Sequence, residues 1–381
     1  MFEFYTSIDR YGNSLLYRGY DAEGKRVEKR VKFKPRLFAH SKKGDTEFKS
    51  MYGTAVKPID LESMGEMKDF VNSYVGVQDF ELCGTERHIT SFIQRAFPNE
   101  IKFDRRIINI ANIDIETAIG DGFPEPSTAL QEIRAITVRC SRDHKYRVWG
   151  LKKQYFAQPN VVHTYCESEA ALLESFLKFW TDKFYAPDVI TGWNTRFFDI
   201  PYLCNRIIRV LGEEKARTLS PWRKIDQYDV TINTRKQMSY DIVGIQHLDY
   251  MELFKKFAYT YGNQESYSLN HIAHVVLNEQ KHEYSDVGTL NDLYEKDYQR
   301  FIDYNIHDVE LVDKIDEKLG LIDIVFTIAY MAGVNYTDSL ATTPVWDAII
   351  YRRLYRQNVI VPFSNGAKQK TDYAGGYVKP P

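Results

Sequence analysis

A chain of 381 residues with 44% hydrophobic and 27% charged content has the make-up of a globular protein, long enough for two or three domains and a sizeable core. Its formal net charge of −2 excludes a global basic field, so a polyanionic partner must be held by local patches. Four scattered cysteines (Cys83, Cys140, Cys166 and Cys204), with no Cys-x-x-Cys pair, argue against a thiolate zinc site or a disulfide framework and suit a reducing compartment.

The N-terminus, MFEFYTSIDRYG, lacks the basic-then-apolar order of a signal peptide. No apolar run approaches the roughly 18 residues that a membrane span requires. The expected setting is therefore the cytoplasm, with no membrane partner. The first hundred residues alternate apolar and polar positions in short runs (FEFYTSI, SLLYRGY, KRVKF) broken by turn signals such as YGN and AEG, which predicts a β-rich module. Within it, residues 25–43 carry nine Lys or Arg against one Glu, interleaved with Phe33 and Phe38. This stretch reads either as an edge strand guarded by lysines or as a nucleic-acid surface with stacking platforms, in which Lys32, Lys34 and Arg36 are the candidate contacts.

From about Lys102 the pattern changes. IINIANIDIE, EIRAITVRC and YRVWGL read as strands and EAALLESFLKFWTDKF as a helix. APDVITGWN ends a further strand, and DIPYLCNRIIRVLGEE is a second helix. Strands followed by helix–strand–helix predict a mixed sheet flanked by helices, an α/β (α+β) fold. Residues 227–243 form two alternating runs around a polar centre, a hairpin. Beyond Gly320 come more helix and a loop-rich end, DYAGGYVKPP.

The chemistry concentrates on acids. In the strand IANIDIE, Asp114 and Glu116 point the same way because side chains alternate faces. Two adjacent anions repel and lose hydration, so basic partners, protonation or a metal ion must compensate. Asp199 begins the helix after Gly-Trp-Asn; read alone it is a helix cap. Tyr304 and Asp308, in Tyr304-Asn-Ile-His-Asp308, share one helix face. Asp249 and Glu252 read as helix-start or surface residues. The ordered set of Asp-x-Glu on a strand, Asp199 after a Gly turn and Tyr-x-x-x-Asp on a late helix suits oxygen-only ligation of Mg²⁺ or Mn²⁺. Two such ions about 3.5–4 Å apart can clamp the attacking and leaving oxygens of a phosphodiester, with Tyr304 orienting the attacking water.

At these residues the sequence resembles family B DNA polymerases of the T-even bacteriophage type. The resemblance extends to MFEFY, FKPRLFAH, DGFPEPS at 121–127, YSLNHIA at 267–273, WDAII at 346–350 and the closing YAGGYV. It implies an RNase H-like 3′–5′ proofreading exonuclease that uses two divalent ions, Mg²⁺ or Mn²⁺. Asp114, Glu116, Asp199 and Asp308 would be the metal-binding acids and Tyr304 the catalytic tyrosine. Phe123, Asn194 and Phe198 would contact DNA, Phe123 as a ring wedged against a single-stranded 3′ end, and the 227–243 hairpin would help to part primer from template. The implied division is an N-terminal β-rich domain at 1–103, the exonuclease domain at 104–328, and a segment at 329–381 that returns to the first domain.

The palm motifs Asp-x-x-Ser-Leu-Tyr-Pro and Asp-Thr-Asp-Ser are not in the sequence, and Tyr336-Thr-Asp-Ser339 lacks the first Asp. The chain is thus expected not to synthesise DNA alone. It would be a shortened or split-gene form whose partners are a single-stranded DNA 3′ end, primer–template DNA and a chain or domain carrying palm, fingers and thumb. RNA is a further partner implied by the resemblance, because related phage polymerases act as translational repressors. The rival readings are a binding module or repressor scaffold with vestigial acids, and an RNase H-like nuclease unrelated to replication.

Overall fold

The computed structural model describes residues 2–363 except 42, 75, 76, 78, 79, 81, 121, 155, 157, 233 and 280–287. The YAGGYV stretch, Asp121 and the hairpin-tip residue Asn233 lie outside the described residues. Strands β1 (Phe2–Tyr11), β2 (Ser14–Asp21) and β3 (Arg26–Lys32) form an antiparallel meander in the order β1-β2-β3. Four short strands follow, β4 (Arg36–His40), β5 (Lys49–Ser50), β6 (Val56–Asp60) and β7 (Leu82–Gly84), with α1 (Met64–Tyr74) before β7 and α2 (His88–Ala96) after it. β3 is an outer strand of its sheet and is largely exposed, the place where lysines suppress unwanted strand pairing.

The centre is a six-stranded mixed sheet that joins β8 (Ile110–Thr117), β9 (Ile133–Cys140), β10 (Tyr146–Gly150), β11 (Val161–Tyr165) and β12 (Val189–Thr191) to a later strand. Between β11 and β12 runs α3 (Glu169–Trp180), capped by Ser168; after β12 come α4 (Asp199–Leu211) and α5 (Glu213–Ala216). The hairpin β13 (Ile225–Ile232) and β14 (Arg235–Ile242) has the predicted place, and β15 (Gln246–His247) completes the sheet in the order β11-β10-β9-β8-β12-β15. β8 is antiparallel to β9 and parallel to β12.

Helices cover both faces. Ile113 and Ile115 of β8 pack with Leu172, Phe176, Ile200 and Leu203 of α3 and α4, the expected apolar side of the alternation. After α6 (Tyr250–Phe257) and α7 (Leu269–Leu277), the helices α8 (Leu290–Lys296) and α9 (Tyr298–Leu319) cover the opposite face, where Ala135 and Val148 meet Leu293, Phe301 and Ile302. α10 (Leu321–Ala332), α11 (Thr342–Arg356) and β16 (Val359–Ile360) close the described chain. They return to its start: Tyr5 Oη donates to Val334 O at 2.6 Å, Asn335 brackets Ile8 with two hydrogen bonds, and β16 pairs with β5. The four cysteines are buried and are not joined in disulfides. No described helix is long and apolar enough to cross a membrane.

Asp188, fully buried just before β12, ties these parts together. Its Oδ2 accepts from Tyr20 Oη at 2.7 Å, Arg26 Nη2 at 3.0 Å and the backbone N–H of Asn109 at 2.8 Å, and Arg18 lies 3.6 Å from Oδ1. Burial alone would raise its pKa, but the Arg18 and Arg26 charges and these hydrogen bonds hold it below the usual carboxylate range. Asp188→Ala, which takes away the carboxylate that Arg26, Tyr20 and the Asn109 N–H share, is expected to cost about 3–5 kcal/mol in urea unfolding. A depressed carboxylate supplies stability only while ionised, so the gap between wild type and variant should shrink as pH falls below about 4.

Candidate active site

β8 delivers Asp114 and Glu116 to the sheet face covered by α9, and α9 brings Asp308 down on them. Carboxylate oxygens of Asp114, Glu116 and Asp308 all lie within 4.8 Å of one another. The helical register that places Tyr304 one turn before Asp308 is present in α9. Glu116 and Asp308 are buried and Asp114 is half-buried. The donors are all oxygens, a set that fits a hard divalent cation.

Asp199 joins from the other motif. It is the first residue of α4 and is buried, and its Oδ1 accepts from the backbone N–H of Ile115, between the two acids of β8, at 3.1 Å. Burial pushes its carboxyl up to about 7, with the charges of Asp249 and Asp308 adding to the rise. A cation bound nearby reverses that balance by favouring the ionised form. The cluster is therefore costly when empty of positive charge.

The turn that carries Asp199 depends on backbone economy. Gly192 sits at φ +149°, where an added Cβ would lie 2.4 Å from Ile113 O and 2.5 Å from Thr195 Cγ2, so only glycine lets β12 pass this close to β8. Asn194 follows in the left-handed region at φ 60°, which Asn tolerates better than most residues. Asp249, which the sequence suggested as a helix start or surface residue, is the N-cap of α6 but is fully buried. It accepts from the N–H groups of Asn194 at 3.2 Å, Arg196 at 2.9 Å and Met251 at 2.9 Å. Glu252 pairs with Arg196 at 2.8 Å. These two acids therefore act as clamps on the turn, a role that spacing alone does not reveal.

Two further residues escaped the sequence reading. Asn305 Nδ2 donates to Asp114 Oδ2 at 2.6 Å, and the Asn305 carbonyl accepts from the hydroxyl of Thr137. The only available signal was the position of Asn305 inside Tyr-Asn-Ile-His-Asp. Phe123, 80% exposed, sets its ring 5.3 Å from that of Phe198, which in turn lies 5.7 Å from Tyr202. A large exposed ring resting on a second ring at the start of the Asp199 helix forms an aromatic step beside the acids.

The basic stretch fares differently. Lys34 meets Glu62 at 2.6 Å, Lys32 approaches the same carboxylate at 3.9 Å, and Arg36 forks onto Asp60 at 2.7 and 2.8 Å. Phe33 and Phe38 are buried in the N-terminal cores, so they cannot serve as stacking platforms. Phe38 faces inward from β4, and Phe33 turns inward from the link between β3 and β4.

Sequence comparison agrees with this geometry. Residues 94–272 match the family described as DNA polymerase family B, exonuclease domain. The DNA-directed DNA polymerase of Escherichia phage RB69 is 32% identical over 100% of this chain and 44% of its own length, and that of Enterobacteria phage T4 is 31% identical over the same shares. The DNA polymerase delta catalytic subunit of Candida albicans is 25% identical over 51% of this chain and 19% of its own length. The chain thus spans less than half the length of these curated relatives.

Since the acids repel one another without a cation, Asp308→Asn should raise the melting temperature of the metal-free protein, a gain of about 1 kcal/mol. The same substitution should diminish the upward shift that millimolar Mn²⁺ gives the wild type. Differential scanning fluorimetry with and without Mn²⁺ reads both effects.

Proposed function

Because residues 94–272 belong to the exonuclease domain family of the family B DNA polymerases, we propose that this chain is the 3′–5′ proofreading exonuclease portion of such an enzyme. The observation that carries the reading is the convergence of Asp114, Glu116 and Asp308, from segments nearly two hundred residues apart, to within 4.8 Å, with Asp199 bonded to the strand between two of them. Carboxylates buried this close together call for compensating charge or protonation, and an oxygen-ligated cation supplies the charge.

In this reading Asp114, Glu116, Asp199 and Asp308 hold two divalent ions, Mg²⁺ or Mn²⁺. When bound, these ions supply a hydroxide nucleophile near neutral pH and offset charge on the departing 3′ oxygen. Tyr304, on the face of α9 that bears Asp308, orients the attacking water. Asn194 and the aromatic step of Phe123 and Phe198 seat the last bases of a single-stranded 3′ end, the product being a nucleoside monophosphate. In the same reading the hairpin of residues 227–243 keeps the primer end apart from its template. The domain division is 1–103, 104–328 and 329–381, with the last segment supported by its hydrogen bonds to β1. DNA synthesis requires a palm that a further chain or domain provides.

The test is a time course on 5′-labelled single-stranded DNA with Mg²⁺. Stepwise shortening from the 3′ end, lost in an Asp114→Ala/Glu116→Ala double variant, is the expected result; internal cuts, or digestion that persists in the variant, would overturn it. Phe123→Ala should keep its melting temperature, because the ring is mostly exposed, yet bind single strands more weakly by about 1–3 kcal/mol in fluorescence anisotropy. Affinity should also fall steeply with salt, as phosphate contacts release counterions.

A further inference from the structure

We infer that Thr137 and Asn305 form a positioning relay that fixes the orientation of the Asp114 carboxylate and so sets the divalent-ion affinity of the site. The inference rests on the metal-binding reading of the acids. Neither residue is a metal ligand in it.

The relay starts from strand register. Asp114 of β8 lies directly opposite Thr137 of β9, so both side chains occupy the same face of the sheet, beneath α9. Thr137 and Asn305 are each fully buried, where a polar group must find partners or destabilise the fold. The Thr137 hydroxyl donates to the Asn305 carbonyl oxygen. That bond decides which way the amide faces, because with Oδ1 committed to the hydroxyl, Nδ2 turns towards Asp114, whose Oδ2 it meets at 2.6 Å. An amide N–H is donor-only and an ionised carboxylate acceptor-only, so the pair is matched in the state that ligation requires.

The residue type matters. Aspartate at 305 would add a further anion to a crowded cluster, and leucine would leave Oδ2 without this donor. Asparagine gives an N–H without charge and, through Thr137, without the freedom to flip. α9 thus carries both Asp308 and the group that orients Asp114, so the helix sets two of the acids at once. Outer partners of this kind change metal affinity by about 10–100-fold when removed.

The experiment is Mn²⁺ binding to the DNA-free chain, followed by the loss of the free-ion electron paramagnetic resonance signal. It compares the wild type with Asn305→Ala, Thr137→Val, Thr137→Ser and Asp114→Ala. Thr137→Val keeps the shape of the strand residue and removes only the hydroxyl, so it separates loss of the relay from any loosening of the core by Asn305→Ala. Weakening by about 10-fold or more in Asn305→Ala, a smaller loss in Thr137→Val and recovery in Thr137→Ser are the expected results. Wild-type affinity in folded Asn305→Ala and Thr137→Val would overturn the relay while leaving the metal site standing, provided that Asp114→Ala still loses Mn²⁺. Equal binding by wild type and Asp114→Ala would instead overturn the metal-site reading, and the relay with it.

Discussion

One buried carboxylate sets the frame on which everything else is hung. Asp188 fixes β12 against β8 through Asn109: its side chain accepts from the Asn109 N–H, and the N–H groups of Asp188 and Val189 both donate to Asn109 O. Its own carbonyl accepts from Gln246 and sets β15 beside β12. The same carboxylate holds Tyr20 and Arg26, and Arg18 lies beside it, so the N-terminal meander docks at the point where the parallel strands are registered. A one-residue slip in a strand would turn every side chain to the other face. The alignment of the Gly192 turn with Ile113 therefore depends on a residue outside the active site.

The acid cluster shows the complementary principle. Asp114 and Glu116 come from β8 and Asp308 from α9, and Asp199 at the start of α4 is bonded to the strand between the first two. Two of the groups around them are neutral donors: the Ile115 N–H for Asp199 and the Asn305 amide for Asp114. Neutral donors orient the oxygens and leave the charge to be balanced by what binds. The cost in stability is carried by the large apolar cores on either side of the sheet.

How much of this was legible depends on the range of the interaction concerned. The alternation in IANIDIE revealed the strand and the shared face of Asp114 and Glu116, because a period of two is a local property. The Tyr304–Asp308 face followed from helical spacing in the same way. That Asp199 would reach the N–H of Ile115 was not legible from spacing, since it depends on how a turn at Gly192 crosses β8. Asp249 was read as a helix start, which it is, but its burial depends on the 194–196 turn lying over it. Thr137 carried no local signal at all, because its role exists only through cross-strand register. In the basic stretch, charge count was visible while pairing with Glu62 and Asp60, more than twenty residues away, was not.

The hydrogen bonds between β1 and the 330–336 region span the chain: Tyr5 to Val334 is a sequence separation of 329, and Ile8 to Asn335 one of 327. At a synthesis rate of roughly 5–20 residues per second, β1 leaves the ribosome on the order of 20–60 s before its partners exist. Until then its apolar side chains Phe4, Tyr5 and Ile8, all destined for the interior, have only earlier elements such as β2 and the segment around Phe97 to shield them. Long-range closure of this kind slows folding and leaves strand edges open to wrong partners. Protease resistance of β1 in ribosome-bound chains should accordingly arise in two stages, a weak one with the meander and a full one only after Tyr336 has emerged.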